Sequence, residues 1–107
     1  MRPIASEFAT PEVRRAALHL GRLVREARLA RRMPQTELAA RARTSKPTLI
    51  RIEKGGVESS LGVWLSVMEQ LGLLKLISGL EDETSMALAE QHRTRRARRN
   101  AKSDLDF

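Results

Sequence analysis

The stretch QTELAARARTSKPTLIRIEK, Gln35–Lys54, carries two short helical patterns with a tight polar join between them. In the first, about Gln35–Ala42, Leu38, Ala39 and Ala42 recur at helical spacing and turn one apolar face inward. Arg43 and Thr44 make the connection. Ser45 is a good N-cap for the second pattern, because its hydroxyl can accept a backbone N–H that the first turn leaves unpaired. That helix runs to Lys54 with Leu49 and Ile52 as its buried positions. Gly55-Gly56 ends it, since glycine enters the left-handed region without a steric penalty.

Towards the N-terminus, Thr10 caps an earlier helix, with Pro11 in its first position and Glu12 near the positive end of the dipole. Val13, Ala17, Leu20, Val24 and Ala27 form its apolar stripe, which ends near Arg32, and Pro34 marks the break. On the other side, Ser60 caps a fourth helix whose inner face reads as Leu61, Trp64, Leu65, Met68 and Leu71, with Gly72 as its stop. A shorter apolar segment, Leu73–Leu80, follows. The composition then changes to the acidic Glu81-Asp82-Glu83, a helical stretch with Met86, Leu88 and Ala89, the run Arg93–Arg99, and a polar tail ending Asp104–Phe107. No segment alternates with period two, so no strand is predicted. The expectation is an all-α protein of two parts. Residues 1–80 form a five-helix domain with an N-terminal extension, and residues 81–107 form a helical or disordered basic tail. The last fifteen or so residues have little to bury and are expected to be mobile when free.

The 107-residue chain has 20 Lys+Arg against 13 Asp+Glu, a formal charge of +7. That favours a polyanionic partner: nucleic acid, an anionic membrane surface or an acidic protein face. No cysteine is present, which removes disulfides, thiolate zinc sites and thiol catalysis. No run approaches the ~20 apolar residues of a membrane span, and Met1–Thr10 lacks the apolar core of a signal peptide. A soluble cytoplasmic protein with no membrane partner, nucleoid-associated when on DNA, is expected. With 3% aromatics, base stacking on aromatic platforms is poorly supported.

An enzyme is not expected, nor is a cofactor. Ser45 has no base or orienting partner in sequence and reads as a cap. Gly55-Gly56 lacks the strand and the Lys-Ser/Thr of a phosphate loop. His19 and His92 lie far apart with no second ligand at metal spacing, so no metal is expected. Trp64 falls on an apolar stripe and reads as core, and Met33, Met68 and Met86 read as gap fillers.

Two helices of about eight to ten residues around a tight turn are the units of a helix-turn-helix. The second helix must place its leading turn in a major groove about 12 Å wide, while the first braces it and meets phosphate through its N-terminus. Lys46, Pro47, Thr48 and Arg51 are the candidate base-reading residues. Gln35, Arg43, Ser45 and Lys54 are the candidate phosphate contacts. Arg51 is the best suited to a bidentate contact with guanine.

The elements Leu20-Gly-Arg-Leu-Val-Arg-Glu-Ala-Arg28, Gln35-Thr-Glu-Leu-Ala39, Ser45-x-x-Thr-Leu-x-Arg-Ile-Glu-Lys-Gly55 and Leu61…Leu71-Gly72 resemble the lambda-repressor-like, or Xre, helix-turn-helix family over roughly Ala17–Leu74. The resemblance implies a five-helix domain that binds double-stranded DNA as a homodimer on a palindromic operator. It also implies a structural ion pair between a first-helix Arg and a third-helix Glu, here Arg28 and Glu53. Three positions depart from the pattern. Arg43 stands where the family carries glycine in the turn, Pro47 lies in the first turn of the reader helix, and Ile50 replaces a residue that is often polar. The later Leu-Gly-Leu-Leu-x-x-Ile, the acidic-to-apolar helix, the Arg run and the terminal Leu-Asp-Phe resemble the HipB-like antitoxins. That narrower resemblance implies autorepression of an operon and binding of a HipA-like serine/threonine kinase toxin.

Leu73, Leu74, Leu76 and Ile77 either close the monomer core or form a two-fold interface. The number of aliphatics in so short a chain favours the dimer. Arg93, Arg95, Arg96, Arg98 and Arg99 form a solvated face, a DNA arm or a toxin-binding segment, and the dense like charge favours contact with a polyanion. Two rival functions stand beside the antitoxin reading: a free-standing Xre-type regulator, and a protein-interaction module that binds DNA only non-specifically.

Overall fold

The structure, a computed structural model, describes residues 8–105, with side chains for 8–101. Met1–Glu7, most of the segment weighed as a signal peptide, and Asp106–Phe107, the end of the Leu-Asp-Phe motif, lie outside the described residues. The described helices are α1 (Pro11–Ala30), α2 (Gln35–Arg41), α3 (Lys46–Glu53), α4 (Leu61–Gln70), α5 (Leu74–Ser78) and α6 (Glu83–Leu105), with no strand among the described residues.

Short-range chemistry sets the helix starts. Thr10, Ser45 and Ser60 each accept the backbone N–H three residues on, from Val13, Thr48 and Val63. The ends follow one pattern at three places. At α1, Arg32 N–H donates to the Leu29 carbonyl and Met33 N–H to the Arg28 carbonyl. At α2 the same pair of bonds runs from Arg43 to Ala40 and from Thr44 to Ala39, and at α4 from Gly72 to Glu69 and from Leu73 to Met68. Each is a Schellman-type cap with a left-handed residue at its centre. At α1 and α2 that residue is an arginine, Arg32 with φ 51° and Arg43 with φ 56°.

The chain divides into two compact units, the first ending at Ile77 and the second starting at Ser78. In the first, α1 packs on α3, and α2 packs on both α3 and α4. The core holds Val24, Met33, Leu38, Ala39, Ala42, Leu49, Ile52, Trp64, Val67, Met68 and Leu71. Two expected core positions are exposed: Val13 lies beyond the packed part of α1, and Leu61 is 72% exposed. Helix α4 is apolar on several sides; Trp64, Met68 and Leu71 of the expected stripe are buried, Leu65 is half-buried, and Val67 is buried where Leu61 was expected to be. Trp64 is a core residue whose indole N–H donates to the Gly56 carbonyl at 3.2 Å, tying the α3–α4 loop to α4. Leu73 and Leu74 are half-buried against the core, whereas Leu76 and Ile77 are exposed. Leu73 and Leu74 thus help to close the core of the first unit.

The second unit contains α6, 23 residues in one helix through the arginine run. Of the two states expected for the basic tail, helical or disordered, the structure has the helix: Ala, Arg, Glu, Gln and Lys dominate the segment and no Gly or Pro interrupts it. Asp82 starts it, accepting from the backbone N–H of Thr84 and Ser85 and from the Ser85 hydroxyl at 2.6 Å. The Ser85 hydroxyl bond holds the Asp82 carboxyl below its ordinary pKa.

Candidate nucleic-acid interface

Helices α2 and α3 are joined by four residues, Ala42–Ser45, with the left-handed Arg43 at the bend. A left-handed backbone costs a residue with a Cβ roughly 1–2 kcal/mol. Arg43→Gly is accordingly expected to stabilise the protein by about 1 kcal/mol, read from the urea midpoint, while removing one exposed cation beside the reader helix.

Helix α3 faces two ways. Leu49, Ile52 and Glu53 are buried; Lys46, Pro47 and Arg51 are exposed, and Thr48 and Ile50 are half-buried. The N-terminal turn thus projects outward with one cation, Lys46, and the Thr48 hydroxyl, and Arg51 adds a second cation in the last turn. Ser45 caps the helix and donates its own hydroxyl proton to Thr48 Oγ1 at 2.9 Å. Its oxygen and its proton are both engaged, whereas Thr48 keeps its hydroxyl proton for an external acceptor. Lys54 is exposed at the end of α3.

A buried ionic network fixes the pitch of α3. Arg28 Nε donates to Glu53 Oε2 at 2.7 Å, its second terminal nitrogen to Glu53 Oε1 at 3.0 Å, and its first to the Met33 carbonyl at 3.0 Å. Gln35 Nε2 donates to Glu53 Oε1 at 3.1 Å. Gln35, assigned to phosphate on sequence, is half-buried and committed at one N–H to Glu53, so it braces α2 on α3. The two-pronged geometry is the strong form of the Arg–carboxylate contact. Among the described residues no buried side-chain nitrogen or oxygen lacks a hydrogen-bond partner.

Two residues that the sequence reading did not single out complete the arrangement. Gly21 of α1 lets α3 approach closely: a Cβ there would lie 2.5 Å from the Ile52 carbonyl oxygen and 2.9 Å from that of Glu53. Arg14 of α1 shares an open groove with Arg51, Lys54 and Glu58, which widens the basic surface beside α3. Gly21 stands within the Leu20–Arg28 run as a glycine in a helix interior, a sign of close packing, but what each of the two meets depends on where α1 crosses α3. Among the described residues, no cluster of three or more His, Asp or Glu could hold a metal ion.

Residues 19–75, more than half of the chain, match the family described as helix-turn-helix domain. The chain belongs to that family. The helix-turn-helix domain spans α1 from His19 to the start of α5, and its all-α order is consistent with the lambda-repressor-like fold. The family is one of DNA-binding domains, and in a helix-turn-helix the second helix of the pair, the place α3 holds here, is the one that enters the major groove. No curated protein and no solved structure matches the chain.

Proposed function

We propose that the protein is a sequence-specific transcriptional repressor that binds a palindromic operator in double-stranded DNA as a homodimer. The observation that carries the reading is the outward face of α3, where Lys46, Pro47, Thr48 and Arg51 stand on a helix held by a buried ion pair. Lys46, Thr48 and Arg51 read base edges, Pro47 offers a rigid apolar contact to a thymine methyl, and Arg43 and Lys54 hold phosphate. The exposed Leu76 and Ile77 support a two-fold contact. Two reader helices then enter successive major grooves about 34 Å apart, and promoter occlusion represses transcription.

The test is a titration at near-physiological salt with DNA from upstream of the gene against random duplex of equal length. A preference of ~10³-fold or more is expected for a specific regulator. Equal affinity for both would leave only phosphate binding and favour the protein-interaction module. Arg51→Ala is expected to weaken operator binding by about 1–3 kcal/mol at one base position. Unchanged binding across a mapped operator would remove Arg51 from the reading set.

The finer proposal is that the operon encodes a HipA-like kinase toxin that this protein binds and represses. It rests on the Leu-Gly-Leu-Leu-x-x-Ile segment and the basic C-terminal helix. Purification from the native host is expected to bring the kinase with it. A regulator that purifies without a stable partner would be the free-standing kind.

A further inference from the structure

Helix α6 sorts its arginines by partner. Arg93 is held by Glu90 at 2.7 Å, and it is the arginine of the run with an ion pair among the described residues. Arg95, Arg96, Arg98 and Arg99 are exposed. No acidic residue lies three or four positions from any of them. Their charged neighbours at those spacings are all cations: Arg95 with Arg98 and Arg99, Arg96 with Arg93 and Arg99, and Arg98 and Arg99 with Lys102. Like charges at such spacing repel and weaken an isolated helix.

At 3.6 residues per turn these four side chains cover an arc of about 160°, and Arg93 falls outside it. The unpaired cations therefore share one face, and the paired one lies off it. The opposite face beside the run holds Glu90, the paired Arg93, Ala97 and Ala101. A helix that lies in a membrane surface needs bulky apolar residues opposite its cations, and this segment of α6 has none there. A helix is about 10–12 Å across with its side chains and fits a major groove about 12 Å wide. There an arc this broad can meet phosphates on both walls, which a flat surface does not allow.

We infer that Arg95, Arg96, Arg98 and Arg99 form a second, sequence-independent contact with duplex DNA, made to the phosphate backbone. The choice of DNA as the polyanion rests on the helix-turn-helix reading of the first unit. The arm adds affinity and salt dependence, while α3 supplies the preference for particular bases.

The test uses the full chain and random-sequence duplex DNA, with affinity measured across a salt series. The four-fold variant R95A/R96A/R98A/R99A keeps helix-forming side chains at all four positions. Each phosphate contact contributes ~0.9 to the slope of log K against log salt, so the slope is expected to flatten by about 3–4 units. Lysine at the same four positions is expected to restore most of the slope. The operator-to-random preference of the alanine variant is expected to match that of the unaltered chain. Arg51→Ala, by contrast, lowers that preference and moves the slope by ~1 or less. A slope unchanged by the four alanines overturns the arm even if α3 reads its operator. A flattened slope with no operator preference keeps the arm and overturns the specific-regulator reading. Circular dichroism shows whether the variant keeps its helix. Binding to phosphatidylserine vesicles that the four alanines abolish, with the DNA slope unchanged, would make an anionic lipid surface the partner instead.

Discussion

Arg28→Ala and Glu53→Ala are each expected to lower the unfolding free energy by about 3–5 kcal/mol, because each leaves a buried partner charge uncompensated. Arg28 is 7% exposed and Glu53 6%, so water cannot take over the lost contacts. Glu53 receives three hydrogen bonds, two from Arg28 and one from Gln35. Without Glu53 a guanidinium remains inside; without Arg28 a carboxylate remains, and the Met33 carbonyl loses a donor. Domains of this size have about 5–15 kcal/mol in all, so either change removes a large part of the stability. Urea unfolding followed by circular dichroism measures it. The double replacement Arg28→Met with Glu53→Leu is the informative control. It removes both charges together and is expected to fall much closer to the parent than either single change. A single-variant loss under ~1 kcal/mol would mean that the pair behaves as an exposed one. DNA binding should fall with the single variants through the pitch of α3 rather than through a lost contact.

Gly21→Ala is expected to destabilise the protein by about 3 kcal/mol, the upper end of the usual overpacking range. In an exposed helix the same exchange gains up to about 1 kcal/mol, so helix propensity predicts the opposite sign. What decides is the surroundings. The added methyl would meet the Ile52 carbonyl oxygen at 2.5 Å, the Gly55 nitrogen at 2.8 Å and the Glu53 carbonyl oxygen at 2.9 Å. All three are backbone atoms, which no rotamer change moves away. Helix α1 would have to lift off the C-terminal end of α3, disturbing the Arg28–Glu53 geometry two turns along the same face. For a domain of this size the melting temperature should fall by roughly 12–24 °C. Gly62 provides the contrast. It lies in α4 with nothing within 4 Å of its added Cβ, and Gly62→Ala is expected to be neutral or stabilising by up to about 1 kcal/mol. A Gly21→Ala protein as stable as the parent would show that α1 and α3 can separate freely.

The two changes bear on function because both act on the orientation of the reader helix. α3 is only eight residues long and cannot hold its own angle. Leu49 and Ile52 anchor its inner face, Glu53 ties its end to α1, and Gly21 sets how close α1 comes. The outward residues, Lys46, Thr48 and Arg51, take their positions from that frame. The base-reading role proposed for them is thus tested cleanly only in variants that leave the frame intact.

The helices, their caps and the turn were legible in the chain because each depends on residues within three or four positions of one another. Thr10, Ser45 and Ser60 bond to the next turn wherever the rest of the chain goes. Pro34 and Gly72 break helices by their own geometry, and Leu38, Ala39, Leu49 and Ile52 sit on stripes too narrow to be misread. Family membership was legible for the same reason, since its motifs are local runs in a set order. Long-range packing decided the rest. In α4, Leu61, Val63, Trp64, Leu65, Val67 and Met68 are all apolar, so the sequence allowed several inward faces, and packing into the core chose Val67 over Leu61. The bond from Gln35 to Glu53 at 3.1 Å likewise depends on how α2 packs on α3. Gly21 and Arg14 matter only because α1 crosses α3 where it does, a relation between residues some thirty to forty positions apart that no local pattern encodes.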